Sequence, residues 1–114
     1  MNIRETSADD LGHALELNNA NVPELNELDA PEIARLVSIS EVALTAEVDG
    51  TFAGFCIVFA PGADYGSLNY QWFSRTYDDF VYLDRIAVHP SFRRYGIGRA
   101  FYRELVGRFT GQFP

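Results

Sequence analysis

The chain has 114 residues, enough to bury one core but short for an α/β enzyme, and its 47% apolar content is that of a folded globular protein. No apolar run reaches membrane-spanning length. The formal net charge is −7, with eleven acids and two arginines in residues 1–50 against five acids and seven arginines in residues 51–114. That distribution excludes the broad basic face that nucleic-acid binding needs.

Asn2–Thr6 reads as a short opening strand. Ser7 suits a helix N-cap, with Asp9 and Asp10 placed where carboxylates favour the helix dipole. The helix is expected to run to about Asn19, using Leu11, Ala14 and Leu15 for apolar contacts, with His13 at the surface or boundary. Asn18-Asn19-Ala20-Asn21-Val22-Pro23 breaks it. A second helix is expected near Ala30–Ile39, Pro31 fitting its first turn.

Glu41–Val48 and Thr51–Ala60 form a predicted hairpin, joined by Asp49-Gly50, the dipeptide of a two-residue type I′ turn. The second strand is apolar on both faces and should be central and covered by helices. Gly54 in its middle suggests a bulge or a close backbone neighbour. Cys56 lies in this strand and reads as a small core residue; one cysteine fits neither a disulfide scaffold nor a zinc site. With no basic-then-apolar leader, the expected compartment is the cytoplasm.

Pro61–Asp79 is too long for a tight hairpin and carries Tyr65, Tyr70, Trp72, Phe73 and Tyr77, with one short helical turn expected over Asn69–Arg75. Its aromatics either pack the loop onto the sheet or form a lid over a pocket, where hydroxyl and amide groups would orient a substrate. Asn21, Tyr65, Asn69, Tyr70 and Trp72 are the candidate substrate residues.

Phe80–Val88 reads as a buried strand that Pro90 ends. From Ile97 the pattern turns helical, with Ile97, Phe101, Leu105 and Phe109 on one face and Glu104 able to pair with Arg108. Between them runs Arg93-Arg94-Tyr95-Gly96-Ile97-Gly98. A glycine loop at a helix N-terminus offers unpaired N–H groups and roughly half a positive charge. Gly96 and Gly98 let a ligand approach the backbone, and Arg93, Arg94 and Arg99 add donors suited to phosphate oxygens. The chemistry wanted is an anion, a diphosphate in particular. The Rossmann and P-loop glycine signatures are both absent.

Val88-His89-Pro90-x-x-Arg93-x-x-Gly96-x-Gly98 resembles the acetyl-CoA signature of the GNAT N-acetyltransferases, which is R/Q-x-x-G-x-G/A after a strand ending in V-x-P. Arg94 stands where that family commonly has glycine, and Tyr95 where lysine, arginine or glycine is frequent. The element order matches the N-terminal two-thirds of the GNAT fold. Gly62-Ala63-Asp64-Tyr65-Gly66-Ser67-x-Asn69-Tyr70-x-Trp72-Phe73 also resembles a loop of one bacterial branch.

The resemblance implies one α/β domain over residues 1–114: a mostly antiparallel central sheet with helices on both faces, lacking the usual C-terminal third. It implies acetyl-CoA as cosubstrate, held by the backbone of Ile86, Ala87 and Val88 along the pantetheine arm and by Arg93, Arg94, Tyr95, Gly96, Ile97, Gly98 and Arg99 at the pyrophosphate. The acceptor would be a primary amine of a small molecule or peptide. Asp84 is the candidate base, the alternative being a salt bridge to an arginine or a bulge cap, and Tyr82 would position the acceptor. After the helix only Thr110-Gly111-Gln112-Phe113-Pro114 remain, without the strands and acid tyrosine the family supplies next. The chain is then a piece of a longer enzyme, or a shortened homologue whose open sheet edge favours homo-oligomers. A rival expectation is a non-catalytic acyl-CoA-binding or assembly module, and a third is a binder of another phosphorylated ligand.

Overall fold

The computed structural model describes residues 1–77 and 80–110; Asp78 and Asp79, at the end of the expected 61–79 loop, and residues 111–114 of the expected tail lie outside them. Strand β1 (Asn2–Glu5) leads through a 3₁₀ turn (Ala8–Asp10) into helix α1 (Leu11–Asn19). Helix α2 (Ala30–Ile39) comes next, then strands β2 (Val42–Val48) and β3 (Thr51–Phe59). Helix α3 (Leu68–Thr76), strand β4 (Tyr82–Val88), a 3₁₀ turn (Pro90–Tyr95) and helix α4 (Ile97–Arg108) complete the order. The sheet runs β1-β2-β3-β4, and every neighbouring pair is antiparallel.

Asp49 and Gly50 join β2 to β3 with φ of +52° and +77°, the positive values a type I′ turn requires. The alternation along β3 then sorts the core into two layers. Phe55, Ile57 and Phe59 pack with Ala14 and Leu17 of α1, Ile33 and Leu36 of α2, and Tyr70 of α3. Cys56 and Val58 face the other way, against the Ile97–Phe101–Leu105 stripe of α4. Helices therefore cover both faces, as the apolar run of β3 demands. Burial pushes the Cys56 thiol up to about 12, in keeping with a core residue.

Three local expectations change in detail. Ser7 is the N-cap of the 3₁₀ turn that leads into α1, and its side chain makes no capping bond. Its N–H and hydroxyl both donate to the Asp10 carboxylate (2.7 and 3.1 Å), which Arg4 grips at 2.6 and 2.8 Å. The Arg4 guanidinium also pairs with Glu47, joining the 3₁₀ turn to the sheet. The short turn expected over Asn69–Arg75 is a nine-residue helix, its first turn capped by Ser67 Oγ. Phe80 and Val81 are buried but precede the β4 ladder, which opens at Tyr82.

Two register shifts interrupt the ladders on either side of β3. Ala46 pairs with Gly54 and Glu47 with Phe52, so Ala53 bulges from β3. A Cβ on Gly54 would lie 2.7 Å from the Ala87 carbonyl oxygen, so both readings of that glycine hold. Further along, Ile57 pairs with Arg85 and Val58 with Leu83, leaving Asp84 as the extra residue of β4. No helix among the described residues is long and apolar enough to cross a membrane.

Candidate functional site

Strand β4 carries two sites, one at each end. At its C-terminal end the His89 N–H reaches back to Ala53 O (2.8 Å). By strand alternation Ile86 and Val88 then turn their peptide groups to the outer edge, which no strand covers among the described residues. The side chains of Ile86 and Val88 pack toward α4, and Ala87 is buried on the other face.

His89 Nδ1 accepts the Ser91 N–H (3.1 Å), starting the 3₁₀ turn that Pro90 favours. Gly96, at φ +70°, ends that turn and caps α4, a backbone state that glycine adopts without strain. The first-turn N–H groups of α4 have no acceptor inside the helix. Ile97 is buried and offers only its backbone outward. A Cβ on Gly98 would meet nothing within 4 Å, so packing does not require that glycine and the turn does not either. What its missing side chain provides is open backbone beside the helix end.

Arg93, Arg94 and Arg99 are exposed, and no carboxylate pairs with them among the described residues. Tyr95 is also exposed, packed edge-on against Phe92. The donor set fits an anion with several oxygens: oriented N–H groups, a helix dipole and unneutralised guanidinium groups.

At the N-terminal end, Asp84 and Arg85 reach a pocket of about 770 Å³, walled by residues 24–28, by α2 and by Tyr65–Leu68. The Asp84 side chain is 8% exposed; Oδ1 accepts from the Tyr65 hydroxyl (2.7 Å) and Oδ2 from Arg85 Nε (3.0 Å). Burial pushes the Tyr65 hydroxyl up to about 12, and its bond to Asp84 acts the same way. Tyr65 therefore holds its proton at neutral pH and donates it. The rim is acidic: Glu24 and Glu27 are exposed and have no side-chain partner among the described residues, whereas Arg35 is bound to Asp64 (3.0 Å).

Of the substrate candidates, only Tyr65 lines this pocket. Asn69 Nδ2 donates to the Tyr82 hydroxyl (2.9 Å), so these two meet each other outside it. Tyr70 is placed differently from the expectation. It is buried, its hydroxyl donating to Ala60 O and accepting the Ala63 N–H, which anchors the loop to the sheet. Asn21 donates to Leu17 O (2.8 Å) and closes the end of α1. Trp72 is half exposed and packs on Phe73 and Tyr77, away from the pocket.

Sequence reasoning passed over Arg85, Asn18 and Asn19. Arg85 Nη1 donates to Asn18 Oδ1 (2.7 Å) and Asn26 O (3.3 Å), and Asn18 is fully buried. A signal was present. An Asp-Arg pair inside an otherwise apolar strand must find partners, because buried charges are costly alone.

No curated protein matches the chain in sequence. Among solved structures, Ard1 from Thermoplasma volcanium superposes with a TM-score of 0.75 at 19% identity, over 97% of this chain and 64% of its own. Diaminobutyrate acetyltransferase EctA from Paenibacillus lautus, in complex with L-2,4-diaminobutyric acid and coenzyme A, gives 0.66 at 21% identity, over 92% and 55%. A GNAT family acetyltransferase from Brucella melitensis, in complex with acetyl-CoA, gives 0.60 at 20% identity, over 96% and 68%. The chain thus spans about two thirds or less of the length of these structures, whose likeness is one of fold. The family model described as acetyltransferase (GNAT) matches residues 13–112, and the chain belongs to that family.

Proposed function

We propose that this domain transfers an acetyl group from acetyl-CoA to a primary amine. The observation that carries the reading is the run from a β4 edge into a glycine-capped helix end, the edge uncovered and the flanking arginines unpaired among the described residues, with a carboxylate-floored pocket on the same strand. Ile86 and Val88 would bond the pantetheine arm, and the N–H groups of 97–99 with Arg93, Arg94 and Arg99 would bind the pyrophosphate. Asp84 lies two residues from Ile86, about 7 Å along a strand, within reach of an amine approaching a thioester held there.

A lysine-like amine with a pKa of about 10.4 is neutral in roughly one molecule per few thousand at pH 7. Asp84 would accept the proton as the nitrogen bonds to the thioester carbonyl carbon, the C–S bond then breaking to release the thiolate, which takes up a proton from water. Outward N–H groups of β4 would polarise the carbonyl oxygen. Tyr82, held by Asn69, would orient an acceptor at the neighbouring end of α3. The acidic rim suits a cationic amine, either a small molecule or a peptide N-terminus. A cytoplasmic setting accompanies this reading, the single cysteine being free and buried.

The non-catalytic binder is favoured by one observation: both Asp84 oxygens already accept a hydrogen bond. Two measurements on the 114-residue chain separate the readings. Calorimetric titration of acetyl-CoA should give saturable binding, weakened at least about tenfold by Arg93→Ala or Gly98→Val, the scale of a lost charge-assisted bond. Thiol release from acetyl-CoA should then accelerate when primary amines are added. Binding without amine-dependent release leaves the binder, and nucleotide binding that acetyl-CoA cannot displace defeats both.

A further inference from the structure

Successive residues of a regular strand point to opposite faces, so Asp84 and Arg85 would ordinarily be parted by the sheet. The bulge at Asp84 cancels one step of that alternation. Carboxylate and guanidinium thereby turn to the same face, toward α1 and the pocket. Arg85 is 6% exposed there, which is expensive for a cation, and a buried pair seldom repays its desolvation in stability.

The geometry shows what the guanidinium connects. Its Nε holds Asp84, and its Nη1 holds Asn18 Oδ1 and the Asn26 carbonyl. Asn18 Nδ2 donates to that same carbonyl (2.9 Å) and to Asn19 Oδ1 (3.0 Å). Asn19 in turn accepts the Leu28 N–H and donates to Leu28 O, both at 2.9 Å. Residues 26–28 lie between α1 and α2 and form one wall of the pocket. They have no helix or strand of their own and hang from two asparagines and one arginine.

We propose that Arg85 is a positioning residue: it joins the wall at 26–28 and the Asp84 carboxylate into one hydrogen-bonded unit, fixing where the acceptor amine sits relative to that carboxylate. The proposal rests on the acetyl-transfer reading of the same pocket. Asn19 bonds only Asn18 and Leu28, so loosening it moves the wall without touching the ion pair.

The test uses the full chain with an amine that the wild type acetylates. Acetyl-CoA affinity should stay within about twofold in every variant, because its expected contacts are the outward peptide groups of Ile86 and Val88 and the 93–99 loop, which none of these side chains touches. A misplacement of about 1 Å can cost 10²-fold, so Arg85→Met should lower kcat/KM for the amine by about that factor, through kcat as well as KM. Arg85→Lys, which keeps the charge but not the fork, should recover part of the loss. Asn19→Ala should raise the amine KM and spare kcat, and it serves if Arg85→Met fails to fold. Wild-type kcat/KM in a folded Arg85→Met or in Asn19→Ala overturns the proposal. So does loss of acetyl-CoA binding in parallel with activity, or Arg85→Lys no better than Arg85→Met. Absence of amine acetylation in the wild type instead defeats the acetyl-transfer reading itself, and this proposal with it.

Discussion

At the C-terminal end of β4, Arg93, Arg94 and Arg99 stand exposed with no carboxylate beside them among the described residues. At its N-terminal end Arg85 is enclosed, with Asp84, Asn18 and the Asn26 carbonyl around it. The same side chain serves two purposes on one strand. Where water is present, an unpaired guanidinium costs little and remains available to an incoming anion. Where water is excluded, it must be fully matched and so becomes part of the frame. Function at the first end should be sensitive to charge while stability is indifferent. At the second end the two should fall together.

The sharpest way to break that contrast is to remove one partner at each end. Asp84→Ala leaves a buried guanidinium uncompensated and should cost about 3 kcal/mol in urea denaturation. Gly54→Ala tests the contact that holds β3 against β4 between the two sites. Its Cβ would meet the Ala87 carbonyl oxygen at 2.7 Å, and about 2 kcal/mol should be lost, lowering Tm on the order of 10 °C.

The Arg4–Asp10 pair supplies a reference away from β4. The Arg4 hydrogen bonds hold Asp10 at about 2 against an ordinary 3.8. A lowered carboxylate pKa stabilises above the unfolded value and ceases to do so as pH falls through the folded one. Asp10→Asn should therefore cost about 2 kcal/mol at pH 7, with the difference from wild type shrinking below pH 3.8 and gone only well below pH 2. Smallest of all should be Arg93→Ala and Arg94→Ala, each within about 0.5 kcal/mol of wild-type stability. Each should still weaken acetyl-CoA about tenfold by calorimetry. A large stability loss in either would mean that the loop is framework and the contrast false.

What could be read from the sequence was what depends on near neighbours. Asp49-Gly50 carries its own turn, Pro31 sits in the first turn of α2, and Ile97, Phe101 and Leu105 mark the buried stripe of α4. The glycine loop after β4 was visible for the same reason, since Gly96 and the helix it caps are adjacent in the chain. Helix α3 was underestimated because its inward residues, Tyr70 and Phe73, are aromatics in a segment whose outward face includes Leu68 and Trp72. With Leu68 and Trp72 mixed among Asn69 and Arg75 on that outer face, the helical period loses its contrast. Tyr70 was misplaced for a related reason: a tyrosine hydroxyl reads alike whether it meets a substrate or a backbone carbonyl. The unit around Arg85 was invisible for a stronger one. Its partners Asn18 and Asn26 lie 67 and 59 residues away, and the bulge that brings Asp84 onto the same face as Arg85 is a property of the β3–β4 pairing.

That bulge makes the pocket depend on a count of residues as much as on their identities. Ile86 and Val88 face the outer edge with peptide groups, which any side chain except proline's would preserve. Loss of one residue between Leu83 and Arg85 is a different matter. It would restore plain alternation with Arg85 still opposite Ile57 on the α1 face, and leave the guanidinium there without its carboxylate. A lineage carrying this domain could drift freely at many positions of β4, while a single-codon deletion there would strip the pocket of its carboxylate at once.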